Sequence, residues 1–415
     1  MEFELGASDD AALEFIDAAR GGNRRSRLAW LVDAFLALPC SDALRATLFD
    51  ATQPFIVIRA GRSQLSRTFA RGLPARTYYH RESLPRRIDL PALIGQPLPS
   101  PRRLISTEQQ QVVDVGRAVL AALGRETDAI ALTYPKGVRW YDLARSTAVA
   151  LFTMRPRRRG ALDSHIGMML FKNGVPVGYG GGWPFLGDCR IGVNIFPAFR
   201  GGESALLFGQ VLRVYRQCFG VGRFVAEPSQ FGGTNREGLR SGAFWFYYRL
   251  GFRPIDPDAA QRAGEEWSRM SADPGYRSTE RRLRTFTDGD IELRLDPTPE
   301  VETSQLSEIV STWIAAQFSG DRGAASKAAL ARVVRVLGAT DRSEWPEDEA
   351  NAFAELSLLV AQIPRLRDWS EAERRSLVLL MRAKGGDEFR FHARLRGHRR
   401  LAAALGALAG GDARR

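Results

Sequence analysis

Arg200-Gly201-Gly202-Glu203-Ser204-Ala205 is the stretch of this chain best suited to chemistry. Two glycines just ahead of an expected helix leave its first-turn N–H groups open, and open amides at the positive end of a helix attract phosphate. Glu203 opposes this if its side chain turns inward: a carboxylate about 4 Å from a phosphate charge costs roughly 4 kcal/mol at an effective dielectric of about 20, whereas a helix terminus returns only ~0.3 to 2. Turned outward, it pairs with Arg200 and suits the positive helix end. The same residues admit a hydrolase reading, with Ser204 as nucleophile and His392 or His398 downstream, but Leu206 stands where a nucleophile elbow needs glycine. The sequence has no Walker loop, no H-E-x-x-H, no complete G-x-G-x-x-G and no His/Cys cluster at ligand spacing, so no metal site is assigned.

The elements that would position these residues follow from periodicity. Ser146 to Met154 reads as a strand, followed by the basic turn Arg155 to Arg159. Alternation through Ile166, Met168 and Leu170, the Asn173-Gly174 pair and renewed alternation at Val177 and Tyr179 predict a hairpin. Ile191, Val193 and Ile195 mark one face of a further strand. Leu207, Val211, Val214 and Cys218 then share one face of a helix from Glu203 to Phe219, ended by Gly220. A strand from Gly222 to Glu227, a glycine-rich loop, an aromatic helix ending near Leu250 and a strand opening at Phe252 complete this part. Phe244, Trp245, Phe246, Tyr247 and Tyr248 are expected to pack as an aromatic core.

This order resembles the GNAT superfamily of N-acetyltransferases over Ser146 to Ile255. Arg200 matches the first and Ala205 the last position of the motif that holds the diphosphate in that family, while Glu203 replaces its usual glycine. The resemblance implies a mixed central sheet flanked by helices, an acetyl-CoA or other acyl-CoA donor, and transfer to an amine. It implies that Val193 and Ile195 hold the pantetheine arm and that Arg200, Gly201, Gly202, Ser204 and Ala205 hold phosphate. Asn235 stands as a cofactor contact, although it precedes Tyr247 by more than the family's usual gap. Tyr247, four residues before Gly251, would protonate the departing thiolate, with Tyr248 as its neighbouring alternative. Transfer to an amine also needs a base; Glu227 is the first choice, then Asp163 and His165. Because of Glu203, an acyl carrier protein with a single phosphodiester is a further donor candidate. A non-catalytic module binding nucleic acid or protein is the competing reading.

Composition fits these expectations. The 415 residues are 44% hydrophobic and 26% charged, which is ordinary globular usage. The net charge of +12 arises in the middle: between residues 51 and 250 basic residues outnumber acidic ones more than two to one. Such a field attracts anionic partners. Arg59 to Arg87, with Phe69, Tyr78, Tyr79 and His80 interleaved, has the composition of a single-strand nucleic-acid surface, although nucleic acid ranks behind the thioester donor. Cys40, Cys189 and Cys218 are too few and too scattered for a disulfide framework. With an acidic N-terminal stretch and no apolar run of membrane-spanning length, a cytoplasmic protein is expected.

Three regions are expected: 1–105, helical with a strand at Phe55 to Ile58 and a proline-rich linker; 106–296, the α/β domain; and 297–415, helical. Leu28 to Leu38 reads as buried. Thr107 to Leu123, Leu330 to Leu337 and Ala352 to Ile363 read as helices. Arg281 to Leu295 reads as a two-stranded ribbon around Asp288-Gly289, and Phe389 to Leu408 as a docking helix with an arginine-rich outer face.

Overall fold

The computed structural model describes residues 9–52, 70–84, 87–125, 128–233, 235–297 and 301–411. Phe55 to Ile58 and Phe69 lie outside them. The chain divides into two compact units, Met1–Arg59 and Ala60–Arg415. The first contains helices Asp9–Arg20 (α1), Arg27–Leu36 (α2) and Asp42–Ala51 (α3). Ser26 and Ser41 cap α2 and α3 by accepting from Ala29 N and Leu44 N. No residue of α2 or α3 is buried, which corrects the expectation for Leu28 to Leu38.

The second unit opens with helices Leu90–Gly95 (α4), Ser106–Ala122 (α5) and Asp128–Ala131 (α6). Strands Thr133–Leu143 (β1), Thr147–Met154 (β2), Ile166–Lys172 (β3), Val175–Phe185 (β4) and Asp188–Ile195 (β5) follow. Then come helix Ser204–Phe219 (α7), strand Arg223–Ala226 (β6), helices Arg236–Ser241 (α8) and Ala243–Arg249 (α9), and strand Arg253–Pro254 (β7). Helices Pro257–Ala272 (α10) and Glu280–Arg284 (α11) precede strand Ile291–Arg294 (β8). The chain ends in helices Thr303–Phe318 (α12), Arg322–Leu337 (α13), Glu347–Val360 (α14), Glu371–Gly385 (α15), Glu388–Gly397 (α16) and Arg399–Gly411 (α17).

The strands form one eight-stranded sheet in the order β1-β2-β3-β4-β5-β6-β8-β7. Only β5 and β6 pair in parallel; the other neighbours are antiparallel. The architecture is thus a mixed α/β sheet flanked by helices, with helical terminal regions. Both faces of the sheet are covered, as the apolar residues at successive positions of β2 and β3 require. Val149, Leu151, Met168 and Leu170 join the core under α7, whereas Ala150, Phe152, Met169 and Phe171 join the core under α5.

The hairpin turn uses Asn173 and Gly174 at φ 50° and 73°, and α7 ends at Gly220 in the left-handed region at φ 73°. The expected aromatic helix is divided into α8 and α9 by Gly242 at φ 66°. Arg281 to Leu295 is not a ribbon. Thr279 caps α11, Leu283 of α11 is buried, and only β8 enters the sheet, between β6 and β7. The proline-rich segment wraps α7: a Cβ on Gly209 would meet Leu93 and Ile88, so glycine lets α4 seat closely.

Phe389 to Leu408 is not one helix but two, broken at His398, whose Nδ1 accepts from Leu401 N at 3.1 Å. Their apolar residues share a core with α12 to α15, and Phe389 stacks on Phe219 of α7 at 6.0 Å. Arg159, Lys384, Glu388 and His392 form a fully buried ionic node beside it. Lys384 Nζ donates to Glu388 Oε1 at 2.6 Å and to Ser164 Oγ at 2.8 Å, and Arg159 donates to the carbonyls of Lys384 and Gly386. Burial alone would raise the Glu388 carboxyl, but Lys384, His392 and Arg159 hold it far below the usual carboxylate range.

Candidate functional site

The site begins with a strand that is too short. β6 stops at Ala226 because Glu227 is followed by Pro228, which has no N–H for the sheet and opens a 3-10 turn, Pro228–Gln230. Pairing between β5 and β6 therefore covers only Asp188 to Arg190 against Arg223 to Val225. On its other side β5 stays paired with β4 along its whole length. From Ile191 to Ile195 the edge of β5 facing β6 pairs with no strand, although Ile195 O at its end accepts from Arg200 Nε at 2.8 Å, and the gap leads to the N-terminus of α7.

A cavity of about 1160 Å³ occupies this gap. It exceeds the roughly 300–1,000 Å³ of ordinary small-molecule clefts. Its walls include Val193, Ile195, Arg200, Gly201, Gly202, Ser204, Ala205, Glu227, Asn235 and Tyr247, the first-choice residues of the sequence reading, but not the alternative Tyr248. His165 lines it as well, whereas Asp163 lies elsewhere and accepts from Thr303 Oγ1 at 3.1 Å. Neither His392 nor His398 reaches the cavity, so Ser204 has no imidazole partner from the tail and the hydrolase reading loses its triad.

Just before α7, Gly201 sits at φ 79°, where a side chain would be strained, and a Cβ there would meet nothing within 4 Å. The first turn of α7 has no side-chain cap, and the Ser204 hydroxyl is buried without a hydrogen-bond partner among the described residues. Glu203 does not line the cavity, and it does not pair with Arg200. It turns to His80 Nε2 at 3.1 Å, Lys172 Nζ at 3.1 Å and Arg145 at 3.3 Å. These three partners lie far from it in sequence, so nothing local announced this orientation. Arg200 instead folds back on the strand end, donating through Nε to Ile195 O at 2.8 Å, and pairs with Glu237. Asn235 is occupied as the cap of α8: its Oδ1 accepts from Gly238 N at 2.8 Å and its Nδ2 donates to Ser229 O at 2.9 Å. It shapes the loop wall rather than presenting a free amide.

Tyr247 is packed edge-on against Phe208 and Phe252 yet borders the cavity. Burial pushes its phenol well above the usual range, so the hydroxyl keeps its proton. Glu227 is 54% exposed at its side chain and lies 3.4 Å from the Arg190 guanidinium, which Asp290 also contacts at 2.8 Å. His165 lies flat on Trp183, the ring centroids 4.1 Å apart, and burial lowers its imidazole to about 4, so it is neutral at pH 7. A neutral imidazole accepts a proton without first losing one. His165 and Trp183 meet across the β3–β4 hairpin, and Gly181 makes room, since a Cβ there would collide with the imidazole. The Tyr179-Gly180-Gly181-Gly182-Trp183 run was the overlooked sequence signal for this corner.

No family model and no curated protein matches the sequence. Among the described residues no group of His, Cys, Asp and Glu is placed to hold a metal ion, and no helix is long and apolar enough to cross a membrane.

Proposed function

We propose that the chain is an acyltransferase of the GNAT kind, moving an acyl group from a coenzyme A thioester to an amine. The observation that carries this reading is the open edge of β5 from Ile191 to Ile195, which leads to the uncapped amides of α7. An extended pantetheine amide chain matches an unpaired strand edge, and a diphosphate matches first-turn N–H groups beside a glycine that leaves space. The charge objection to a diphosphate falls with the orientation of Glu203, and with it the reason to prefer a carrier protein as donor.

In the reaction a C–N bond forms, the thioester C–S bond breaks, and one proton passes from the amine toward the sulfur. The protonated Tyr247 hydroxyl donates to the departing sulfur. His165 or Glu227 receives the proton of the attacking amine. His165 offers an uncharged acceptor that burial weakens as a base, whereas Glu227 shares its charge with Arg190. Cys40, Cys189 and Cys218 are free thiols, which suits a cytoplasmic setting. The test is thiol release from acetyl-CoA in the presence of a panel of amines. Tyr247→Phe should lower turnover by roughly 10²-fold or more while donor binding is retained; unaltered turnover would remove Tyr247 from the mechanism.

A further inference from the structure

A second cavity, of about 860 Å³, is bordered by the segment from Pro74 to Glu82 and the β1–β2 turn, whose Arg145 pairs with Glu203. Part of the basic and aromatic stretch that the acyltransferase reading leaves unused, including Arg76, Tyr78, Tyr79 and Arg81, lines it. Tyr78 fixes that segment in place: its N donates to Asn173 Oδ1 at 2.8 Å, and Asn173 Nδ2 donates back to Tyr78 O at 3.1 Å. Gly72 N adds a bond to Gly174 O at 2.9 Å. The next ring, Tyr79, is 75% exposed at the cavity rim on a backbone that is already held.

The cavity is lined by four arginines and two carboxylates. Arg102 is paired with Glu108 and Arg145 with Glu203, and Asp142 accepts from Trp140 Nε1 at 2.8 Å. Arg76 and Arg81 have no ion pair among the described residues, and both are exposed. The floor is strained and underbonded. Arg145 and Ser146 are consecutive non-glycine residues at φ 60° and 50°, a conformation usually retained where surrounding structure or function demands it. Thr147, only 2% exposed, has no partner for its hydroxyl among the described residues, and the same holds for Ser146 Oγ and Arg145 Nε.

We infer that this cavity binds a single strand of nucleic acid, with a phosphate at Arg76 and Arg81, a base on the Tyr79 ring, and polar groups of the strand at the Arg145–Thr147 floor. Unpaired cations beside a fixed, exposed aromatic face are what single-strand recognition uses, because every base offers a ring to stack while the backbone offers charge. A duplex hides its base faces and cannot use Tyr79. An acidic peptide would use the arginines but not the ring.

The test is fluorescence anisotropy of a labelled oligothymidylate of about 12 nucleotides, within the ~4 to 16 nucleotides that such sites span. The full chain should bind it, and Tyr79→Ala should weaken binding roughly tenfold or more while Tyr79→Phe keeps it. Arg76→Ala and Arg81→Ala should each reduce the slope of log K against log salt by about 0.7. Both side chains are exposed, so thermal melts of the variants should match the parent. Binding unaffected by Tyr79→Ala, equal affinity for a duplex of the same length, or equal competition by polyglutamate would each overturn the assignment. Acetyl-CoA binding, measured on the same Tyr79→Ala protein, should be unchanged, because Tyr79 does not border the other cavity.

Discussion

Two regions of the second unit treat charge in opposite ways. In the node of Arg159, Lys384, Glu388 and His392, the side chains are buried and held against one another, Lys384 by Glu388 Oε1 and Arg159 by two carbonyls and the Glu388 carboxylate. At the cleft between β5 and β6, Arg190, Arg200, Glu227 and Glu237 stay partly in water around an open strand edge and an uncapped helix. Buried charge tolerates no rearrangement, since removing one partner strands the rest, whereas wet charge can exchange partners when a ligand arrives. The node therefore acts as scaffold between the helical tail and the sheet, and the cleft is the proposed place of ligand exchange.

Substitutions that strike one region and spare the other sharpen this contrast. The largest effect should come from Glu388→Ala, which leaves Lys384 and Arg159 without their carboxylate and should lower stability by about 3–5 kcal/mol, read as denaturant midpoint. A loss below roughly 1 kcal/mol would show that the node is not structural. Next is Gly201→Val, which forces a β-branched residue to φ 79°. It should weaken acetyl-CoA binding at least tenfold and lower stability by about 1–3 kcal/mol. Tight donor binding by that variant would mean that phosphate lies elsewhere.

Much of this arrangement was legible in the chain. The α7 stripe, the Asn173-Gly174 hairpin and the glycines before Ser204 are local signals, and the residues read from them line one cavity. Long-range partners were not legible. β8 inserts between β6 and β7, and no local pattern distinguishes that from a ribbon. β1 passed unnoticed because its apolar residues are broken by Pro135, Lys136 and Gly137, where the register against β2 shifts. Glu203 was read against its nearest cation, Arg200, while its actual partners approach from His80, Arg145 and Lys172.

Two smaller effects separate the regions further. His165 titrates lower in the folded chain than in the unfolded one, so the unfolded state binds more protons between about pH 6.5 and 4. Its contribution to stability is complete above that window and is lost as pH falls through it. His165→Asn should flatten this part of the stability profile, and a profile superposable on the parent's would contradict the buried neutral imidazole. Glu203→Gln should have the smallest effect on the cleft. Because the side chain faces His80, Arg145 and Lys172, donor affinity should change less than about twofold, a difference of ~0.4 kcal/mol. A marked gain in acetyl-CoA affinity would indicate that the carboxylate reaches the phosphate site.

Calorimetric titration of the full chain with acetyl-CoA, alongside acetyl-pantetheine lacking the phosphates, bears most directly on the central claim. The account predicts one acetyl-CoA bound per chain, weaker binding of acetyl-pantetheine, and loss of that difference in Gly201→Val. No heat of binding from acetyl-CoA, or equal affinity for the two thioesters, would contradict it.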